Sequence, residues 1–238
     1  MSLKNQQTDL EFFIDYQSQP SRAVIILAKL LNLKFKISLK SLIALEHKQK
    51  EFREINPILT LPALKDHKLN FSIGESHSIM KYLCLQYGSE NQPFYPKNNL
   101  LKKTEIDFFL DWFLGNVRAF TYPYMRGKFI LPLFGIQGHI NMEKTYNEYI
   151  LKAFKNMENQ FLKKGKKFIV GENLSIADIS AYCELYQFFI MMKTDLNQYP
   201  NMLNWIKNCQ KYEEIRELDQ ILIKNLQEMG SIQGKPHL

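Results

Sequence analysis

The 238-residue sequence contains no run of eighteen apolar residues, which excludes a membrane-spanning helix. Its cysteines are few: Cys84, Cys183 and Cys209, an odd number with no C-x-x-C spacing. Neither a disulfide framework nor a zinc site is expected from that pattern, and it suits a reducing, cytoplasmic environment. The opening MSLKNQQTDLEFF holds one lysine and no apolar segment of signal-peptide type, so no secretory signal is expected. No block of basic residues is dense enough to form a nucleic-acid-binding arm. The formal charge of +7 divides into +3 over residues 1–96 and +4 over residues 97–238. The densest cluster, Lys163, Lys164, Lys166 and Lys167, straddles Gly165 and reads as a solvated turn at a helix end. Internal repeats are absent as well.

What is present is a globular chain, 45% hydrophobic and 23% charged, long enough for two modest domains. Leu10–Ile14 is a short apolar run closed by a polar breaker. Pro20 opens a helical pattern with Ala23, Val24, Leu27, Ala28 and Leu31 on one face, proline being well suited to a first helical turn. Lys34–Leu39 alternates with period two as a half-buried strand does, and a helical stretch is expected over Ala44–Glu54. Leu61–Lys65 and Asn70–Ile73 read as two strands joined by a turn at Asp66–Lys68, and Glu75–Tyr87 as a helix. The order is β-α-β-α-β-β-α, one sheet with helices packed on it. Residues 88–99 are rich in Gly, Pro, Asn and Ser and read as a connection. Helical periodicity dominates afterwards, at 100–125, 139–164, 175–192, 199–211 and 213–228. The domains are therefore expected at 1–90 and 100–238, with a linker at 91–99.

Four places carry possible chemistry. Ser18 stands in the loop after the first strand, before Gln-Pro-Ser-Arg and a helix N-terminus. In α/β sheets ligands bind outside the carboxyl ends of strands, and a helix N-terminus favours an anion. A serine there is also an ordinary cap. Pro62, at the start of a strand, is either a rigid edge residue or a cis-proline; in the second case the backbone of Leu61 can pair with a peptide. Glu75 and Ser76 open a helix, as caps or as a pair able to hold an ammonium and a carboxylate. Ser175-Ile-Ala-Asp178 is a capping pattern and reads as folding chemistry.

In this order the segments resemble a cytosolic glutathione S-transferase of the theta class, from about Leu10 to about Asn225. The resemblance rests on SQPSRAV (Ser18–Val24), on Ile55-Asn56-Pro57, on LPALKD (Leu61–Asp66), on ESHSIMKYL (Glu75–Leu83) and on FYP (Phe94–Pro96). NLSIADISAYCEL (Asn173–Leu185) resembles the family's helical folding signature. The resemblance implies an N-terminal thioredoxin-like βαβαββα domain followed by an all-α domain, and conjugation of glutathione to small, mostly apolar electrophiles in a homodimer. Glutathione is then a co-substrate, with no permanently bound cofactor, no metal and neither nucleic acid nor membrane as partner. Ser18 would donate a hydrogen bond to the glutathione sulfur. His47 would contact the glycyl end, Leu61 before Pro62 the cysteinyl moiety, and Glu75 with Ser76 the γ-glutamyl group. Arg118 and Tyr16 would line the substrate pocket. Tyr16, two residues before Ser18, is the competing thiol-activating group, because other transferase classes use tyrosine. Rival readings on the same fold are a non-catalytic glutathione or hydrophobe carrier and a scaffold module.

The sequence departs from the theta pattern at Thr60, where theta relatives usually have lysine, which predicts weaker glutathione binding. Gly115 stands where an aspartate is sometimes found. The hairpin between Leu64 and Phe71 is longer than in theta relatives. The tail NLQEMGSIQGKPHL, with Gly230, Gly234 and Pro236, opposes a covering helix and predicts a more open site.

Overall fold

The computed structural model describes residues 8–136, 143–163 and 165–230. The chain divides into two compact units, residues 1–89 and 90–238.

The first unit is built on a four-stranded sheet in the order β2-β1-β3-β4. Strand β1 (Leu10–Ile14) pairs in parallel with β2 (Phe35–Leu39) and antiparallel with β3 (Ala63–Asp66), which pairs antiparallel with β4 (Phe71–Gly74). Along β1 the alternate residues Leu10, Phe12 and Ile14 are buried, as a strand with one core face requires. Helix α1 (Gln19–Leu30) starts at an N-cap serine with Pro20 in its first turn, and Ala23–Ala28 are buried throughout. Its close neighbour is α2 (Ser76–Gln86).

The helical stretch expected over Ala44–Glu54 is instead two short 3₁₀ helices, Glu46–Lys48 and Lys50–Glu54. Leu45 sits at φ 56°, which interrupts any continuous helix. Ile43 and Leu45 are exposed, and of this segment only His47 and Phe52 are buried. There is no apolar stripe to hold an α-helix in place.

The second unit is helical. Helix α3 (Leu100–Phe113) runs through a π-helical turn at Leu114–Arg118 into α4 (Ala119–Met125), with a second π turn at Arg126–Ile130. Pro123 lies inside α4, where it cannot donate to the ladder, and wide turns on either side accommodate it. Helix α5 (Glu143–Asn156) also ends in a π turn, Met157–Phe161. Residues 137–142 and 164, which include the start of the expected 139–164 segment and part of the lysine-rich turn, lie outside the described residues, as does the tail from Ser231. Helix α6 (Ile176–Met192) is the core element, buried at every residue from Ile176 to Met191. It packs against α3, α4 and α7 (Pro200–Cys209). Helix α8 (Glu213–Glu228) follows, linked to α6 by the Tyr182 hydroxyl, which donates to Asp219 at 2.6 Å. The capping box expected at Ser175 and Asp178 is formed, its backbone arm 2.9 Å long.

Candidate functional site

The register of the sheet gathers the predicted segments of the first unit. Ile14, which ends β1, pairs with Leu39 at the end of β2, and Ala63 pairs with both Phe13 and Gly74. The Ser18 loop, the chain leading to His47, Leu61–Pro62 and Glu75–Ser76 therefore all leave the sheet at one end. In an open sheet this is the end at which ligands bind.

Ser18 is buried, and its Oγ accepts the backbone N–H of Ser21 at 3.3 Å as the cap of α1. An accepting hydroxyl still has its own proton to give. The loop that presents it is fixed on both sides. Asp15 accepts from the backbone of Gln17 (2.9 Å) and Leu42 (2.8 Å), and the buried Arg22 donates to the carbonyl of Tyr16 at 2.8 Å. Asp15 thereby ties the serine loop to the segment leading to His47. Burial pushes the Tyr16 phenol up, with Lys29 partly opposing it, so that side chain keeps its proton at neutral pH.

His47 is buried, and its Nδ1 has no partner within the described residues. Burial, aided by Lys48, lowers its pKa despite a hydrogen bond with the Ser41 backbone and the charge of Asp15. The ring is accordingly neutral at pH 7, a hydrogen-bonding group and not a cation.

The Leu61–Pro62 peptide is cis. Among the described residues, the backbone of Leu61 makes no hydrogen bond to the protein. Glu75 has φ 61° and ψ 112°, a left-handed backbone for a residue with a side chain, and its carboxylate makes no cap to α2. Backbone strain of this kind persists only where the surroundings enforce it, and it clusters at ligand sites. Ser76 is the first residue of α2. Between these two points lies Asn56, buried, holding Thr60 through its side-chain amide.

Arg118 belongs to the second unit, at the end of the first π turn. Its guanidinium pairs with the buried carboxylate of Glu184 on α6 and lies 5.0 Å from the centre of the Tyr122 ring. Thr121 donates to the other Glu184 oxygen at 2.7 Å. The charge of Arg118 is thus engaged inside the helical unit. Asp15, Asn56 and Glu184 were given no role in the site by the sequence, although Asn56 and Glu184 lie in segments that carry the resemblance. For Glu184 a signal exists: in a helix as apolar as α6, a carboxylate has no wet face to occupy and requires a partner.

Comparison with known proteins agrees with this geometry. The family model "Glutathione S-transferase, N-terminal domain" matches residues 12–92, and "Glutathione S-transferase, C-terminal domain" matches residues 137–218. The chain is 33% identical to glutathione S-transferase T1 of Arabidopsis thaliana, over 96% of this chain and 97% of that protein. The chain belongs to the glutathione S-transferase family. Glutathione S-transferase T3 of the same plant is 32% identical over 88% of this chain, which spans only 37% of that longer relative. Among solved structures, human glutathione transferase theta-2, in complex with glutathione and an unknown ligand, superposes with a TM-score of 0.83 at 27% identity. That match covers 93% of this chain and 90% of the human one. The transferase fold, a thioredoxin-like sheet unit followed by a helical unit, is therefore the fold of this chain, and its kinship is with the theta class.

Proposed function

We propose that this transferase conjugates reduced glutathione to small electrophiles, with Ser18 as the catalytic residue that donates a hydrogen bond to the glutathione sulfur. The observation that carries this reading is the state of Ser18 Oγ. It is buried at a helix N-terminus, with one lone pair taken by Ser21 N–H and its own proton left for an outside acceptor. A free thiol has a pKa near ~8.5, so only a few per cent (~3%) is thiolate at pH 7. Each unit of depression stabilises the thiolate by about 1.4 kcal/mol, and the nucleophile then needs chiefly to be oriented.

The remaining roles are those the resemblance implies, and the gathering of these segments at one end of the sheet supports them. The neutral His47 gives a hydrogen bond to the glycyl carboxylate, the Leu61 backbone pairs with the cysteinyl moiety, and Glu75 with Ser76 takes the γ-glutamyl ammonium and carboxylate. Arg118 acts mainly as the partner of Glu184, so the pocket for the electrophile relies on other side chains of the helical unit. The exposed Leu100, Leu101 and Phe108 on α3 support a homodimer, which light scattering on the purified protein tests. No helix among the described residues is long and apolar enough to cross a membrane. The three buried free thiols suit a reducing compartment such as the cytoplasm.

The deciding experiment is the pH–rate profile with 1-chloro-2,4-dinitrobenzene or cumene hydroperoxide. Wild type is expected to turn over at pH 6.5, whereas Ser18→Ala should lose at least about tenfold there and recover toward pH 8.5. A Ser18→Ala profile that coincides with wild type removes Ser18 from the mechanism. Glutathione binding without any turnover would make the chain a carrier.

A further inference from the structure

The loop before cis-Pro62 and the residue before Glu75 meet at one side chain. Asn56 is 2% exposed. Its Nδ2 donates to the carbonyl of Thr60 at 2.9 Å and lies 3.2 Å from the Thr60 hydroxyl, while its Oδ1 accepts the backbone N–H of Ile58 at 3.3 Å. The same amide packs against Gly74: a Cβ on that glycine would stand 2.7 Å from Asn56 Nδ2, closer than carbon and nitrogen approach without something moving. Gly74 pairs with Ala63, the residue after Pro62, so the two chain segments are already adjacent in the sheet. The loop is further pinned by Lys48, beside His47, whose Nζ donates to the Leu59 carbonyl at 2.7 Å.

We infer that Asn56 is a positioning residue for glutathione, locking the Thr60–Leu61 peptide to the Gly74–Glu75 peptide so that the cysteinyl and γ-glutamyl subsites have one fixed separation. This inference rests on the assignment of Leu61 and Glu75 to glutathione made above. The chemistry requires an amide at this place. The Thr60 carbonyl can only accept, so an aspartate of the same volume has nothing to give it and sets oxygen against oxygen. The Ile58 N–H can only donate, so a purely donating group fails on the other side. Glycine at 74 is required because Asn56 occupies the space of a Cβ. Glu75 keeps its left-handed backbone with the Asn56 amide seated against the peptide before it, and Leu61 presents its backbone from the carbonyl that the amide holds. Loss of the amide should free both to drift. Shifts of about 1 Å at a positioned group are enough to cost one to two orders of magnitude in the affected step.

The test compares Asn56→Asp, Asn56→Ala and Gly74→Ala with wild type, by calorimetric titration with reduced glutathione and by steady-state kinetics with 1-chloro-2,4-dinitrobenzene. The expected result is a KM and a Kd for glutathione raised about tenfold or more in all three, with kcat within about threefold and the KM of the electrophile unchanged. The effects of Asn56→Ala and Glu75→Gln on glutathione affinity should be less than additive, since the first acts partly through the second. A lowered melting temperature with unchanged glutathione KM would make Asn56 a purely structural residue and overturn the inference. So would failure of all three variants to fold. A wild-type protein that binds no glutathione overturns the functional reading and this inference with it. Normal binding by wild type and by the variants alike defeats the inference alone.

Discussion

The indole N–H of Trp205 donates to the same oxygen of Asp178, at 3.0 Å, that accepts the backbone N–H of Ile169 at 2.8 Å. The other oxygen accepts from the Ser175 backbone (2.9 Å) and hydroxyl (2.7 Å). One fully buried carboxylate thus joins the first turn of α6, the segment before it and α7. Asp178→Ala would strand these donors, at a cost of about 3 kcal/mol or more. Urea unfolding measures this. Asp178→Asn, which keeps one acceptor oxygen, should lose less.

Glu75 carries two separable properties, a carboxylate and a left-handed backbone. Glycine adopts that backbone without a Cβ penalty, whereas alanine does not. Glu75→Gly should therefore melt higher than Glu75→Ala, by an amount corresponding to about 1 kcal/mol. Both should lose glutathione affinity to a similar extent. Thermal melts paired with glutathione titrations check the ordering; equal melts would show that the backbone at 75 is unstrained.

On β1, Glu11 is held at 2.8 Å by Lys36, at 2.9 Å by His67, and by the Ser38 hydroxyl. Burial raises its pKa, but these hydrogen bonds and the charge of Lys36 prevail and bring it down to about 2. A carboxylate whose pKa falls on folding stabilises the protein above its unfolded value and loses that contribution as pH falls through the folded one. The benefit is whole above about pH 5 and is lost toward pH 2, and solvent screening limits it to about 1 kcal/mol. Glu11→Gln should lower stability at pH 7 and flatten the acid limb of a stability–pH curve. Parallel curves for the two proteins would contradict the assignment.

Removal of the Arg118 guanidinium leaves Glu184 buried with, among the described residues, only the Thr121 hydroxyl as a hydrogen-bond partner. Arg118→Met is expected to cost about 3 kcal/mol, and adding Glu184→Gln should recover more than half of it, because the uncompensated charge is gone. Denaturant titration of the single and double variants measures the recovery. Full stability in Arg118→Met together with a raised KM for the electrophile would instead return Arg118 to the substrate pocket.

What the sequence revealed was what short-range chemistry dictates. The apolar run Leu10–Ile14 is β1 to the residue, and the cap and proline at Ser18–Pro20 mark where α1 begins. Periodicity found the long helices but not their π turns, since widening a turn by one residue leaves the apolar spacing nearly intact. It also overstated Ala44–Glu54, where Leu45, like Ile43 just before the segment, faces outward. Contacts between distant residues were the least legible. Nothing in the sequence joins Asn56 to Gly74, or Glu158 to the backbone of Asn201 and Met202, whose N–H groups at the start of α7 it accepts at 2.9 Å. Asp66 is similar: it reads as a turn residue, yet it is buried at the end of β3 and takes the hydroxyls of Tyr82 and Tyr87. An isolated acidic residue in a sequence is by default a solvated one, and only the fold shows which are enclosed.

The Gly- and Pro-rich connection after α2 is far less slack than its composition suggests. Gln92, Phe94 and Tyr95 are buried, and the Phe94 carbonyl accepts the N–H of Ile176 in the first turn of α6 at 3.0 Å. The stretch from Gln92 onward thus behaves as the leading edge of the helical unit. A protease, or an engineer inserting a tag or a longer hinge, is left with Ser89, Glu90 and Asn91, since the other exposed residues of the connection are tied down, Asn98 by its amide to Glu90 and Asn99 as the cap of α3.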